Sequence, residues 1–200
     1  LMTHERSKSV QGSDQCGRAR TYLPTASPHS NFSDVTLDSY QVPSLLLTNA
    51  NRIFNKLDEL SILLKSKCFD IVAITETWLS GDIPDSVVHV NEYSVFRQDR
   101  NGAIGGGVMC CISKNIFSRV LDLETRNDLN FEILWLLVRP MLLSRPLSIV
   151  IVAVLYCPPW YNADLCSKLS RYLVSCVDEL DWKYNHPCFP IVGDFNSLDC

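Results

Sequence analysis

Apolar residues from position 44 onward occur in short runs, and the spacing within each run predicts its secondary structure. Short apolar runs that are rich in β-branched residues and bounded by turn residues are typical of buried strands. On this basis, strands are predicted at SLLLTNA, FDIVAITE, VMCCIS, FEILWLLV, LSIVIVAVLY and CFPIVGDFN, with a shorter one at YSVFR.

Two other segments place apolar residues at helical spacing. RIFNKLDELSILLKSK predicts a helix over 52–67, and NADLCSKLSRYLVSCVDELDWKY predicts another over 162–184. The side chain of Asn49 or Asn51 is expected to cap the first helix. The residues expected on the buried faces are Ile53, Leu57, Leu60 and Leu64, with Phe54 and Leu63 beside them, and Leu165, Leu169, Leu173, Cys176 and Leu180.

The order of these elements determines the expected fold class. The elements follow one another as strand, helix, strand, several adjacent strands, helix and strand. This order is not a regular strand–helix–strand repeat. This mixture predicts an α/β (α+β) protein in which two packed sheets are covered by helices. Residues 1–43 are rich in Ser, Thr, Gln, Arg and Pro without a sustained period, so they are expected to form a disordered lead-in to a domain over 44–200.

Composition and charge are those of an ordinary globular protein. Hydrophobic residues make up 46% of the chain and charged residues 20%, and the net charge of −4 gives no overall basic field for nucleic acid. A local cationic groove remains compatible with this balance. The longest apolar stretch, Leu147–Cys157, is about half as long as a membrane helix. We therefore expect an intracellular protein without a signal peptide, a transmembrane segment or a membrane partner.

The cysteines and the glycine triplet are each explained without a bound group. The nine cysteines are odd in number, include no C-x-x-C pair and lie partly in apolar runs, as Cys110 and Cys111 do. Reduced thiols acting as small hydrophobic residues are therefore expected, and a zinc site is not. Gly105–Gly107 precede a strand, which favours a tight turn over a phosphate-binding loop.

Polar side chains follow four of the predicted buried strands, at the point where each strand ends. They are Asn49, Glu76, Tyr156, and Asp194 with Asn196. Strand ends in stacked sheets converge on one rim, so these groups are expected to meet. Each also has a structural alternative: a cap for Asn49, a turn or capping carboxylate for Glu76, an interface aromatic for Tyr156, and turn residues for Asp194 and Asn196.

These residue types suit one kind of chemistry when they lie together. Mg²⁺ prefers one or two carboxylates, several waters and a substrate phosphate. A second carboxylate beside an asparagine orients and deprotonates a water for attack on phosphorus. A tyrosine hydroxyl and an amide NH₂ donate hydrogen bonds to the phosphate oxygens as charge builds there.

Five segments resemble, in order and spacing, the endonuclease/exonuclease/phosphatase superfamily. They are NANRIFNKLDEL, DIVAITETWL, RQDRNGAIGGGVMCCI, VLYCPPW and IVGDFN. More narrowly, residues 44–200 resemble the apurinic-type endonuclease domain at the front of non-LTR retrotransposon polyproteins. The resemblance implies part of a four-layer α/β/β/α sandwich, without its C-terminal part. It also implies Mg²⁺-dependent hydrolysis of a phosphodiester, with Mn²⁺ as an alternative ion.

The resemblance also implies a role for each residue of the set. Glu76 corresponds to the metal-ligating glutamate, and Asn49 to the asparagine near the metal and its waters. Tyr156 corresponds to the contact with the scissile phosphate. Asp194 corresponds to the residue that positions or deprotonates the attacking water, with Asn196 holding the phosphate beside it. The implied partner is a target-site DNA duplex, which places a working enzyme in the nucleus.

The chain departs from the family pattern in two ways. Related domains often carry arginine at the positions of Asn51 and Cys157, which implies weaker electrostatic hold on DNA here. The family's site is completed by a later Ser-Asp-His motif, for which His89 and His186 are no substitute. The chain is therefore expected to be a truncated domain that is weak or inactive alone. A lipid or inositol phosphoesterase of the same superfamily and a non-catalytic remnant remain alternatives.

Overall fold

The computed structural model describes residues 43–100, 102–123, 131–141, 143 and 145–196. In these ranges a short 3-10 helix (Ile53–Lys56) leads directly into the first α-helix. The other elements follow from the apolar runs noted above, with two differences: an additional short strand lies at Phe117–Val120, and the strand expected at CFPIVGDFN is divided into Pro187–Cys188 and Ile191–Asp194. The elements are β1 (Leu45–Asn49), α1 (Leu57–Lys67), β2 (Ile71–Thr75), β3 (Tyr93–Gln98), β4 (Val108–Ser113), β5 (Phe117–Val120), β6 (Glu132–Arg139), β7 (Ile149–Tyr156), α2 (Ala163–Lys183), β8 (Pro187–Cys188) and β9 (Ile191–Asp194).

The described strands form two sheets. The first sheet has the order β1-β2-β4-β3, in which β1 and β2 are parallel and the other neighbours are antiparallel. The second sheet has the order β5-β6-β7-β8, and β9 also pairs with β7. Both β8 and β9 run parallel to β7, with β8 beside its start and β9 beside its end.

The pleat of each strand sorts its side chains into separate layers. On β2, Ile71 and Ala73 pack toward the second sheet, whereas Val72 and Ile74 pack toward α1. On β7, alternate residues likewise face either the first sheet or α2. The layers are therefore α1, first sheet, second sheet and α2, which confirms the expected α/β sandwich of two sheets covered by helices.

The helices confirm the predicted segments but correct several details. Phe54 and Leu63 are 49% and 37% exposed, so they lie off the buried face of α1. The asparagine cap was wrong, because Arg52 precedes the 3-10 helix and makes no side-chain capping bond. On α2, the Asn162 side chain accepts a hydrogen bond from the Leu165 backbone N–H at 2.9 Å and caps the helix.

The described cysteines mostly behave as apolar core residues. Cys110, Cys111, Cys157, Cys166 and Cys176 are buried free thiols. Burial raises the pKa of Cys111 to about 12, and burial together with Cys111 raises the pKa of Cys110, so both stay protonated at neutral pH. Cys68 is the exception, because it is disulfide-bonded.

Two expectations about the rest of the chain have different outcomes. The lead-in predicted over 1–43 lies outside the described residues except for Pro43. Within the described part, no helix has both the length and the apolar character needed to cross a membrane.

Candidate active site

The carboxyl ends of four strands meet at one rim of the sandwich. β1 ends at Asn49 beside Thr75 of the parallel strand β2, and Glu76 follows directly. In the second sheet, Tyr156 at the end of β7 lies opposite Asp194 at the end of the parallel strand β9. Each sheet therefore delivers two polar residues to the same place.

Asn49 connects the two sheets through its side-chain amide. The Nδ2 group donates to Glu76 Oε1 at 3.0 Å and to Asp194 Oδ2 at 2.9 Å. Its Oδ1 accepts from the backbone N–H of Asn51 at 3.0 Å, which fixes the orientation of the amide. Residues separated by 27 and by 145 positions are thus joined by one NH₂ group.

Tyr156 lies under this cluster with its ring between the sheets and is 6% exposed. Burial, the Glu76 charge and a hydrogen bond to Glu76 together raise the pKa of Tyr156 to about 12, and Asp194 adds to the effect. Arg100 acts in the opposite direction. The hydroxyl therefore remains protonated and available as a donor at neutral pH.

Asn196 lies beside the cluster, but its side chain is directed elsewhere. Its backbone N–H donates to Asp194 Oδ1 at 3.3 Å, as in an Asx turn, and orients that carboxylate. Its side-chain Nδ2 donates to the Cys157 carbonyl at 3.4 Å. The structure therefore brings Asn49, Glu76, Tyr156 and Asp194 into contact and places Asn196 next to them.

The backbone around Glu76 adopts unusual conformations. Glu76 and Trp78 have φ of 51° and 57°, and Asn51 and Arg52 have φ of 41° and 76°. Backbone bonds hold these segments together, since Arg52 N–H donates to the Glu76 carbonyl at 3.0 Å. Non-glycine residues in the left-handed region cost free energy and concentrate at functional sites.

The glycine triplet, for which the sequence predicted a tight turn, lies in a bent segment before β4 without a hydrogen-bonded turn at these three residues. Gly105, Gly106 and Gly107 all have positive φ, between 68° and 89°. The Gly106 carbonyl accepts from the Trp78 N–H at 2.9 Å, which ties the bent segment to the residues after Glu76. The Gly107 N–H donates to the Glu132 carboxylate. The bent segment thus supports the candidate site by main-chain contacts.

Sequence reasoning missed a buried ion pair next to the site. Arg100 donates to Glu132 Oε1 through Nε at 2.8 Å and Nη2 at 2.6 Å, and the two side chains are 12% and 8% exposed. The Arg100 guanidinium also lies over the rings of Tyr156 and Trp160. The available signal was the pair of arginines in RQDR before the glycine triplet.

The two positions at which related domains often carry arginine lie in different surroundings. Cys157 is fully buried in the layer beneath α2, so its side chain contributes nothing to the surface of the site. Asn51 is exposed next to Asn49. The His186 carbonyl accepts a hydrogen bond from the backbone N–H of Ser148, which directly precedes β7. His186 therefore lies at the start of β7, whereas Tyr156 lies at its end.

The described residues provide two carboxylates at the site. Glu76 and Asp194 both contact the Asn49 amide, and within the described ranges no three His, Cys, Asp or Glu side chains form a group able to hold a metal ion. Two carboxylates with an adjacent amide and hydroxyl are nevertheless the oxygen-rich set that a hard divalent cation accepts, with water filling the other positions.

Comparison with solved structures identifies enzymes with the same fold. The AP endonuclease LMAP from Leishmania major matches with a TM-score of 0.57 and 17% identity, over 76% of this chain and 54% of that one. The 3′ phosphatase NExo from Neisseria, bound to a product DNA hairpin, matches with a TM-score of 0.51 and 15% identity, over 78% and 58%. TDP2 from D. rerio, humanized by 14 mutations, matches with a TM-score of 0.51 and 13% identity, over 78% and 67%.

These matches support the fold, and they cover only part of the solved proteins. The chain spans little more than half the length of LMAP and NExo. No protein-family model matches the sequence, and no curated protein matches it.

Proposed function

We propose that this chain is a Mg²⁺-dependent phosphodiesterase domain of the endonuclease/exonuclease/phosphatase superfamily, and that it acts on DNA. The narrower proposal is an apurinic-type endonuclease domain of a non-LTR retrotransposon that nicks a target-site duplex in the nucleus. The observation that carries the proposal is the Asn49 amide, which joins Glu76 of one sheet to Asp194 of the other. A fold shared with LMAP and NExo supports it.

The donor atoms at the site are those that Mg²⁺ prefers. Glu76 is the proposed ligand, and Asp194 lies close enough to interact with the same ion or with its waters, because both carboxylates contact one NH₂ group. A bound Mg²⁺ would polarise the phosphate and stabilise its developing charge. Mn²⁺ accepts similar ligands and serves as a probe of the same site.

The other residues are proposed to orient the substrate and the attacking water. The Asp194 carboxylate is fixed on one side by the Asn49 amide and on the other by the Asn196 backbone, so it is held to orient a water. Tyr156 keeps its proton and is proposed to turn it from Glu76 to a non-bridging phosphate oxygen when substrate binds. The Asn196 amide is the proposed second donor to that phosphate, after it leaves the Cys157 carbonyl.

DNA is the proposed substrate although the chain has a net charge of −4. Cationic contact with the strand must therefore be local. Arg52 is exposed and immediately precedes the 3-10 helix that follows Asn49, so it provides a positive charge at this rim.

The primary test measures metal binding, because binding does not depend on turnover. Mn²⁺ affinity is measured by electron paramagnetic resonance for the 200-residue chain and for two variants, Glu76→Gln and Asp194→Asn. Each variant removes one negative charge at nearly constant size. We expect each to weaken Mn²⁺ binding by about tenfold or more, equivalent to about 1.4 kcal/mol.

Matched substitutions on the helices provide the controls. Glu59→Gln on α1 and Asp178→Asn on α2 change exposed carboxylates and should leave Mn²⁺ affinity unchanged. A chain that binds no Mn²⁺, or four variants with equal affinities, would contradict the proposed site.

A second measurement follows the reaction itself. Supercoiled plasmid is incubated with the chain and Mg²⁺, and we expect weak nicking that Glu76→Gln reduces further. Nicking that is insensitive to Glu76→Gln would show that the reaction belongs to another site or to a contaminant.

A further inference from the structure

Arg100 contacts two aromatic rings at the edge of the candidate active site. Its guanidinium carbon is 5.6 Å from the centre of the Tyr156 ring and 5.1 Å from the centre of the Trp160 ring. Since Tyr156 ends the strand that pairs with Asp194 of the candidate site, Arg100 connects Trp160 to the edge of that site.

The charge of Arg100 is already balanced inside the protein. Two of its nitrogens donate to Glu132, and the other oxygen of Glu132 accepts from the Gly107 N–H. A paired and largely buried guanidinium is a poor ligand for a substrate phosphate. Its contact with Trp160 therefore serves to fix the position of the indole ring.

Trp160 remains open to solvent despite this contact. It is 65% exposed, and it follows Pro158 and Pro159 in a turn closed by the Tyr161 N–H and the Pro158 carbonyl at 3.1 Å. Prolines fix φ and so restrict the backbone of the turn. A ligand that stacks on this indole therefore orders little additional chain, which favours binding.

A second arginine–tryptophan pair adjoins the first. The Arg52 guanidinium carbon is 4.8 Å from the centre of the Trp78 ring. A Cβ atom placed on Gly105 would lie 3.6 Å from Trp78 Cε2 and 3.8 Å from Arg100 Nη1, so the two pairs are separated by one glycine. Alternating cations and aromatic rings are characteristic of surfaces that bind single-stranded nucleic acid.

We propose that the exposed face of Trp160 is a stacking site for an unpaired nucleobase of the DNA strand whose phosphate enters the candidate active site. This proposal rests on the proposed function, because it takes DNA as the substrate. Every base has a π face, so stacking on an indole binds bases with little sequence preference. The preferred substrate is then DNA with an unstacked base near the cleaved bond, such as a frayed end or a single-stranded segment, over a continuous duplex.

The experiment measures DNA binding in the absence of metal, so that it is independent of the Mn²⁺ test. Fluorescence anisotropy gives the Kd for labelled oligothymidine of about 12 nucleotides, within the site sizes of stacking proteins. A polymer of equal length that carries abasic deoxyribose phosphate supplies the same charges without bases. The variants are Trp160→Ala, Trp160→Phe and Trp182→Ala.

Trp182 is the matched control because it is 90% exposed and lies near the end of α2, by the start of β7 and opposite the site. We expect Trp160→Ala to raise the Kd for oligothymidine roughly tenfold and to leave the Kd for the abasic polymer almost unchanged. Trp160→Phe should retain most of the affinity for oligothymidine, since it keeps an aromatic face. Trp182→Ala should change neither value.

Three results would overturn the proposal. The first is that the unaltered chain does not bind oligothymidine. The second is that Trp160→Ala raises the Kd for oligothymidine and for the abasic polymer by the same factor. The third is that Trp160→Ala and Trp182→Ala raise the Kd for oligothymidine equally. Any of these leaves the Mn²⁺ result intact, so failure of the stacking site is distinguishable from failure of the proposed function.

Discussion

At the scale of single residues, the site depends on an amide and a phenol. Asn49 uses both its NH₂ group and its carbonyl oxygen, and the charge of Glu76 contributes to the raised pKa of Tyr156. The sequence predicted that Asn49 and Tyr156 lie at strand ends and therefore close together. It did not predict that Asn49 bridges the two carboxylates, because that contact depends on how the two sheets are positioned against each other.

The pKa of Tyr156 provides a test of its bond to Glu76. Replacing Glu76 with Gln removes the negative charge and the charged acceptor, so we expect the pKa of Tyr156 to fall from about 12 toward its usual 10.0. It should stay above that value because burial is the largest cause of the shift. The measurement is the pH dependence of the tyrosine carbon-13 resonances, assigned with Tyr156→Phe.

The same group affects stability at high pH. The raised pKa means that the folded chain holds a proton that the unfolded chain loses above pH 10, so the free energy of unfolding should fall as the pH rises from 10 toward 12. Because Glu76→Gln lowers the pKa of Tyr156 in the folded chain, the pH range over which stability falls should end at a lower pH in this variant. An unchanged pKa in Glu76→Gln would mean that Tyr156 is not bonded to Glu76 in solution.

At the scale of elements, the bent segment Gly105–Gly107 supports the candidate site without contributing a side chain. It carries main-chain bonds to Trp78 and Glu132. The sequence predicted a tight turn here; the structure has a bent segment in which all three glycines adopt the positive φ that glycine permits. The arginines of RQDR were a signal for a charged contact here, but the sequence did not identify Glu132 as the partner, since it lies 32 positions from Arg100 and begins β6 of the other sheet.

Alanine substitutions at two glycines should distinguish the cost of steric overlap from the cost of backbone strain. A methyl group on Gly106 would overlap Arg100 and Glu132, whereas one on Gly102 would meet nothing within 4 Å. Both glycines have positive φ, 68° and 74°, so both alanines carry a similar backbone cost of about 1–2 kcal/mol. Gly106→Ala should also disrupt the buried pair, for a total loss of about 3 kcal/mol or more.

Urea denaturation gives the free energy of unfolding for each variant. Equal losses for Gly106→Ala and Gly102→Ala would mean that the side chains beside Gly106 adjust without cost, and that the ion pair does not depend on the glycine.

At the scale of the whole molecule, the site depends on the spacing of the two sheets. Asn49 and Glu76 belong to the first sheet and Asp194 to the second, so the apolar layer between the sheets determines their separation. The two-sheet arrangement followed from the sequence because long apolar runs require burial on both faces. Strand β5 did not follow from the sequence because it is largely exposed, and the separation of the two-residue strand β8 from β9 was not predicted either.

Neighbouring cysteines on β4 allow a matched test of this dependence. Cys110 and Cys111 are both fully buried, but Cys110 faces the second sheet and Cys111 faces α1. Replacing either with the larger leucine should reduce the free energy of unfolding by about 1–3 kcal/mol through overpacking. Cys110→Leu should in addition weaken Mn²⁺ binding, because it separates the two sheets.

Mn²⁺ affinity and urea denaturation are measured on the same samples. If Cys111→Leu weakens Mn²⁺ binding as strongly as Cys110→Leu does, loss of stability alone explains the effect, and the spacing of the sheets does not control the site.

The hydrogen bond from Asn49 to Asp194 joins residues that are 145 positions apart in the chain. Synthesis on the ribosome proceeds from the amino terminus, so β1 to β4 have all emerged well before β9 is translated. The last partner to arrive is therefore one of the two carboxylates. A nascent chain that has not yet reached Asp194 has no assembled acid pair, so under the proposed function it cannot cleave nucleic acid near the translating ribosome until β9 docks beside β7.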